Sequence, residues 1–110
     1  AVLREARRAG DFQLLRGSWV ADYDDPLGFL ALFTRDSAHN YTGWSDLAYD
    51  RAIYAAFRTP DRAARHALLR EAETLLLEAA PILPLYSNTH VFLIHPSVRG
   101  WHPTLLDRHP

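Results

Sequence analysis

The stretch that follows residue 59 constrains the fold most, because its apolar side chains recur at the spacing of an amphipathic helix. Thr59 and Pro60 introduce it as a capping hydroxyl and a proline of the kind tolerated in a first helical turn. The apolar positions on one face are Ala64, Leu68, Ala72, Leu75, Leu76 and Ala79. Ser45 is a candidate cap for a preceding helix, whose apolar positions are Tyr49, Ala52, Ile53, Ala56 and Phe57. The spacing therefore predicts two successive antiparallel helices.

Three other segments have the composition of β-strands, namely residues 12–21, 82–86 and 89–94. Residues 1–9 have the pattern of a helix that stops at Gly10, and Asp25 and Pro26 predict the start of a short buried helix. The chain is therefore predicted to be α/β or α+β, with helices packed on a partial sheet. Two or three strands rarely make a core by themselves, so we expect partner strands on a longer polypeptide.

The charge of the chain is nearly balanced, with twelve basic residues, all of them Arg, against thirteen acidic ones. A surface that binds nucleic acid usually has a clear basic excess, so we expect no nucleic-acid partner. The absence of cysteine excludes a disulfide scaffold, a thiol nucleophile and cysteine-ligated zinc. The absence of methionine and the lack of a long apolar stretch favour a soluble portion of a larger protein.

No pattern typical of an enzyme or a metal site is present. No two of the six histidines are four residues apart, as a helical zinc pair requires, and the chain has neither a G-x-S-x-G turn nor a glycine-rich phosphate loop. Asp22, Asp24 and Asp25 are close in sequence, but Asp25 is better explained as a helix cap and Asp24 as a solvated turn residue. We therefore expect no catalysis, no metal and no cofactor.

The segment from Arg16 to Pro26 carries the strongest chemical signal. Trp19 and Asp22 lie three residues apart near the end of a predicted strand. A flat apolar ring beside a carboxylate suits a cation with an organic body, such as the amino terminus of a peptide. The alternative is that Trp19 is an ordinary core residue and Asp22 an ordinary turn residue.

Four motifs in the same order resemble those of the oligopeptide- and dipeptide-binding proteins, the family 5 extracellular solute-binding proteins of ABC transporters. They are W-V-A-D-Y-D-D-P at 19–26, N-Y-T-G-W-S at 40–45 with Y-D at 49–50, R-E-A-E at 70–73 with P-I-L-P-L-Y at 81–86, and V-R-G-W at 98–101 with L-D at 106–107. Together they extend over nearly the whole chain. Two departures are Ser18, where glycine is common, and Trp44, where tyrosine is usual.

The resemblance implies the C-terminal portion of a periplasmic-binding-protein fold of type II, in which two α/β lobes close on a ligand. Residues 1–86 would then be part of the second lobe. Residues 87–110 would be the hinge return, a C-terminal strand and a tail that belong to the first lobe.

The resemblance also implies roles for individual residues. Asp22 would hold the α-ammonium group of a peptide, and Trp19 would line the pocket for its first side chain. The backbone around Ser18 and Val20 would bind the peptide main chain. Arg16 would receive a ligand carboxylate, and Tyr86 would line the cleft.

The function implied by the resemblance is that of a periplasmic or cell-surface protein that binds oligopeptides and delivers them to an ABC permease in the inner membrane. Two alternatives stay open. One is another solute on the same fold, such as a nickel chelate, haem, a sugar or an opine; the other is a peptide-sensing receptor. Exposed strand edges of the isolated chain are expected to promote self-association.

Overall fold

The centre of the fold is a pair of helices joined by a short connection. In chain order the structure has α1 (Val2–Ala9), α2 (Leu27–Leu30), a 3-10 turn (Ala31–Phe33), α3 (Leu47–Arg58) and α4 (Arg62–Ala79). It is a computed structural model that describes residues 2–89, 91–102 and 104. Because only residues 59–61 join α3 to α4 and the two helices pack against each other, α4 runs antiparallel to α3, as the sequence predicts.

Apolar side chains of α2, α3 and α4 form one core. Its buried members are Leu27, Leu30, Tyr49, Ala52, Ile53, Ala56, Leu69, Ala72 and Leu76. The Tyr49 hydroxyl donates a hydrogen bond to the Leu30 carbonyl, so the buried ring also ties α3 to the end of α2. This bond satisfies a polar group that would otherwise be costly to bury.

The predicted apolar faces of the two central helices are confirmed at most positions and fail at a few. On α3, Phe57 is 56% exposed, and on the short helix α2, Phe29 is 48% exposed. On α4, Ala64 and Ala79 are exposed, while Leu69 is buried in the core although it was not among the predicted positions. The buried face of α4 is therefore slightly rotated from the predicted one.

Aspartates cap both central helices. The side chain of Asp46 accepts a backbone N–H bond at the start of α3, and that of Asp61 does so at the start of α4. The predicted caps Ser45 and Thr59 are therefore wrong. A carboxylate one or two residues further on provides a charged acceptor for the free N–H groups, and the Thr59 hydroxyl instead donates to the Ala55 carbonyl within the last turn of α3.

The predicted stop of α1 is confirmed. Gly10 has a left-handed backbone with φ of +69°, and the N–H groups of Gly10 and Asp11 donate to the carbonyls of Arg7 and Ala6. These are the two hydrogen bonds of a Schellman motif. At the other end of the helical pair, Ala80 takes a left-handed conformation with φ of 51°, and Pro81 then prevents α4 from continuing.

The predicted strands at 12–21, 82–86 and 89–94 are wrong for the residues that the structure describes, which exclude His90. These segments have irregular or extended backbones that pair with no other strand. A strand needs a neighbour for its N–H and C=O groups, and the helical pair offers none. Of the predicted α/β fold, the described residues therefore form only the helices.

Parts of the segments on both sides of the helical pair extend away from it. The Cα radius of gyration is 17.4 Å, whereas a compact domain of this length has about 13 Å. Many apolar side chains of these segments are consequently exposed, among them Leu14, Leu83, Leu85, Val91 and Leu93.

The end of the chain is described only in part. The rings of Phe92 and Trp101 meet edge to face at 4.7 Å between centroids. The predicted C-terminal tail falls largely on residues 103 and 105–110, which lie outside the described residues. Of the helices that the structure describes, none combines the length and the apolar character needed to cross a bilayer.

Candidate functional site

The exposed segment 16–22 carries five of the six residues that the sequence singles out. The side chains of Arg16, Ser18, Val20 and Asp22 are exposed to solvent, and that of Trp19 is partly covered, at 39% exposure. Within the described part of the chain, the Asp22 carboxylate accepts no hydrogen bond and forms no ion pair. The carboxylate is therefore available to a ligand.

The neighbouring Asp25 is in the opposite situation. Nη2 of Arg65 in α4 lies 2.7 Å from both carboxylate oxygens of Asp25. Asp25 also accepts the N–H of Leu27 at 2.9 Å, which confirms its predicted role at the start of α2. The hydrogen bond from Arg65 is the main reason that the pKa of Asp25 is lowered, and the bond from Leu27 acts in the same direction. Asp25 thus anchors the end of the segment to the helical pair.

Close packing against α2 fixes the backbone just before Asp22. A Cβ atom on Gly28 would lie 3.1 Å from the Cβ of Ala21, which is closer than the ~3.5–4.0 Å of ordinary carbon contacts. The absence of a side chain at Gly28 therefore lets Ala21 lie directly on the helix. This contact places the residue that precedes Asp22 at a defined position on the fold.

Trp19 contacts the loop between the 3-10 turn and α3. Its ring centroid lies 4.8 Å from that of His39, with the two ring planes at 57°. This tilted arrangement is one of the favourable geometries for two aromatic rings. Trp19 is thus partly covered by a side chain from another segment and is not buried in the core.

The loop that carries His39 is held together by Asn40. The Asn40 side-chain amide donates to the carbonyls of Phe33, Thr34 and Trp44 at 3.0–3.3 Å, and its carbonyl oxygen accepts from the backbone and hydroxyl of Thr42. The edge of the Trp44 ring in turn meets Tyr49 in the core. The N-Y-T-G-W motif therefore has a structural role, which is to fix this loop on the helical pair.

Arg16 and Tyr86 are brought together although they are far apart in sequence. The Nη2 atom of Arg16 donates to the Tyr86 hydroxyl at 2.8 Å, and both side chains are exposed. Among the described residues, no other acceptor is bonded to the guanidinium donors of Arg16, so they can bind a further acceptor. It also connects segment 16–22 with the extended segment that follows α4.

Sequence reasoning missed three residues that position the segment. They are Gly28, which admits Ala21, His39, which contacts Trp19, and Arg65, which binds Asp25. Each acts from a part of the chain outside the segment itself. Helical periodicity reveals none of these contacts, because they depend on how α2, the loop and α4 are arranged around the segment.

No family model matches the chain, but individual proteins do. The chain is 38% identical to the probable deoxycholate-binding periplasmic protein YgiS of Escherichia coli over 97 residues. This alignment covers 88% of this chain and 18% of that protein. The chain is also 37% identical to the dipeptide-binding protein DppE of Bacillus subtilis over 109 residues. This alignment covers 99% of this chain and 19% of that protein.

A solved structure agrees with these matches. The unliganded, open form of the MppA periplasmic murein tripeptide-binding protein superimposes with a TM-score of 0.71 and 35% sequence identity, over 73% of this chain and 16% of that one. The chain spans about a fifth of the length of the curated relatives that it matches. The resemblance seen in the motifs is confirmed, and the chain is a relative of the oligopeptide- and dipeptide-binding proteins.

Proposed function

We propose that the chain is part of the solute-binding component of an ABC importer, which binds oligopeptides between two lobes outside the cytoplasm and delivers them to a membrane permease. The observation that carries the proposal is the exposed carboxylate of Asp22, which has no partner among the described residues and lies three residues after Trp19. A peptide supplies the missing cation with its α-ammonium group.

The backbone near Asp22 supports binding of a peptide main chain. Among the described residues, the N–H and C=O groups of Ser18 and Val20 form no hydrogen bonds. An extended peptide that adds to this segment as a strand satisfies such groups and gains affinity that is independent of its sequence. Sequence-independent affinity suits a transporter for many peptides.

The remaining side chains have complementary roles in this proposal. Trp19 provides an apolar surface for the first side chain of the peptide. Arg16, whose guanidinium is held at one corner by Tyr86, offers its free donors to a ligand carboxylate. A cation site at Asp22 and an anion site at Arg16 suit a zwitterionic ligand.

The proposal assigns residues 1–86 to one lobe and residues 87–110 to the hinge return and the other lobe. Closure of the lobes expels water, so that the contact between Asp22 and an ammonium group is formed at reduced dielectric and becomes stronger. The exposed apolar segments on both sides of the helical pair are then covered by the rest of the protein. The location that follows is the periplasm or the cell surface.

A second candidate function is the binding of a different solute on the same fold. It is favoured by the matched relative whose name gives deoxycholate as its probable ligand. Deoxycholate has a rigid apolar body and a carboxylate but no amine. It would therefore use Trp19 and Arg16 and make no use of the Asp22 carboxylate.

Calorimetric titration of the full-length protein, freed of co-purified ligand, separates these functions. The ligands are the tripeptide Phe-Ala-Ala, its N-acetylated form and deoxycholate. Binding of the free tripeptide alone supports the proposal. Equal binding of the acetylated form contradicts recognition of the ammonium group, and binding of deoxycholate alone supports the second function.

A further inference from the structure

The contact between Trp19 and His39 is the only contact between two aromatic rings that segment 16–22 makes with another described segment. The backbone at Ser18 and Val20, on either side of Trp19, forms no hydrogen bonds with described residues. Trp19 lies in neither a helix nor a strand, so side-chain contacts orient its indole ring. The imidazole of His39 covers part of it at a centroid distance of 4.8 Å.

His39 itself occupies a well-defined position. Its backbone N–H donates to the Ser37 hydroxyl at 3.2 Å, and its backbone carbonyl accepts from the N–H of Tyr41 at 3.1 Å. The next residue, Asn40, donates a backbone bond to the Ser37 carbonyl and is the centre of the side-chain network described above. The imidazole is thus presented from a loop whose backbone is fixed on both sides.

The network also connects His39 to the folded core. Asn40 bonds the carbonyl of Phe33 at the end of the 3-10 turn and the carbonyl of Trp44 just before α3. The Trp44 ring packs on the buried Tyr49 with 5.0 Å between centroids. A chain of direct contacts therefore runs from the helical pair through the loop to the ring of Trp19.

We propose that His39 is a positioning residue, which sets the angle of the Trp19 indole and thereby the preference for the first side chain of the bound peptide. This inference rests on the proposed function, in which Trp19 contacts that side chain. Loss of the imidazole removes this ring contact, and the indole then adopts orientations that change the shape of the pocket. A ring of similar size at position 39 preserves the support.

The test uses the full-length protein with His39→Ala and His39→Phe, and two ligands, Phe-Ala-Ala and Ala-Ala-Ala. The measured quantity is the ratio of the two dissociation constants. We expect His39→Ala to change this ratio about three-fold or more, as for the loss of one aromatic contact, and His39→Phe to restore it. In a Trp19→Ala background, His39→Ala leaves the ratio unchanged, because the two residues act through one contact.

A purely structural role of His39 predicts a different result, in which both dissociation constants rise by the same factor and the ratio stays constant. That result, or failure of His39→Phe to restore the ratio, overturns the proposal. The contact between Trp19 and His39 in the ligand-free protein is checked separately, by fluorine NMR of protein labelled with 5-fluorotryptophan. The Trp19 resonance, assigned by its loss in Trp19→Phe, must shift in His39→Ala.

The two readouts separate failure of this inference from failure of the proposed function. If the wild-type protein binds neither peptide, the proposed function is contradicted, and so is the inferred role of His39 in peptide selectivity. A shifted Trp19 resonance then shows only that His39 contacts Trp19 in the ligand-free protein. An unchanged resonance contradicts the positioning role itself.

Discussion

The side chain of Asn40 shows how one residue organises a loop. Its amide group donates toward three backbone carbonyls, and its oxygen accepts two hydrogen bonds from Thr42. The residue is partly buried, so water replaces these partners only incompletely. The left-handed backbone of Gly43, with φ of +73°, completes the turn that returns the chain to Trp44.

Replacement of Asn40 by Asp is expected to destabilise the chain by about 2 kcal/mol or more. The substitution keeps the shape of the side chain but places a carboxylate oxygen against three carbonyls, where the native amide donates. Urea unfolding followed by circular dichroism at 222 nm measures the change. The control is Asn88→Asp. Asn88 is the other asparagine of the chain and is exposed, so this substitution is expected to have little effect.

Equal stabilities of the Asn40→Asp and Asn88→Asp proteins would contradict the structural role of the Asn40 amide.

For single residues, the sequence indicates which positions are important more readily than it indicates their contacts. Asn40 was recognised as part of a motif, but its partners are defined only by the folded loop. Gly10 was fully predictable, because a helix stop is a local property of the backbone.

At the scale of elements, the antiparallel pair of α3 and α4 was predictable because an amphipathic repeat is local information. Two successive apolar faces joined by a short connection have few other ways to bury themselves. The exact caps were not predictable, since Ser45 and Asp46, like Thr59 and Asp61, are competing caps within two residues of each other. The strands failed because pairing depends on partners that local sequence does not contain.

The ion pair between Asp25 and Arg65 is expected to make the packing of α4 on the preceding segment depend on pH. The pKa of Asp25 is lowered in the folded chain, chiefly by the hydrogen bond from Arg65. The folded state therefore binds this proton more weakly than the unfolded state. Its stabilising effect is present above the ordinary pKa of about 4 and is lost as the pH falls through the lowered value.

Asp25→Asn tests this pH dependence. At pH 7 we expect a loss of about 0.5–1 kcal/mol, since the pair is partly solvent-exposed, and a smaller difference from the native chain below pH 3. Unfolding curves at several pH values give both numbers. Asp24→Asn, at an exposed residue, is the matched control. A deficit of Asp25→Asn that is the same at pH 7 and pH 3 would show that the charge is not responsible.

At the scale of the whole molecule, the chain combines a small helical core with long exposed segments. Its radius of gyration of 17.4 Å and the exposure of Leu83, Leu85 and Leu93 show that much of these segments does not pack on the helical pair. The relatives are about five times longer, which agrees with the expectation of partner strands outside this chain. Self-association through exposed edges stays a prediction.

The isolated chain is expected to show a helical circular dichroism spectrum and a radius of gyration near 17 Å by small-angle scattering. It is also expected to bind peptide weakly or not at all, since the opposing lobe that excludes water is missing. A compact particle of about 13 Å would contradict the extended arrangement. A mass that increases with concentration would support self-association.

The central claim is that Asp22 binds the α-ammonium group of a peptide, and a cycle of protein and ligand changes tests it most directly. Native, Asp22→Asn and Asp24→Asn full-length proteins are titrated calorimetrically with Phe-Ala-Ala and with its N-acetylated form. We predict that Asp22→Asn weakens binding of the free peptide by about 2–5 kcal/mol, as for a truncated buried charge pair. Binding of the acetylated peptide should hardly change, and Asp24→Asn should behave like the native protein. Equal affinity of the native and Asp22→Asn proteins for the free peptide would remove Asp22 from the site.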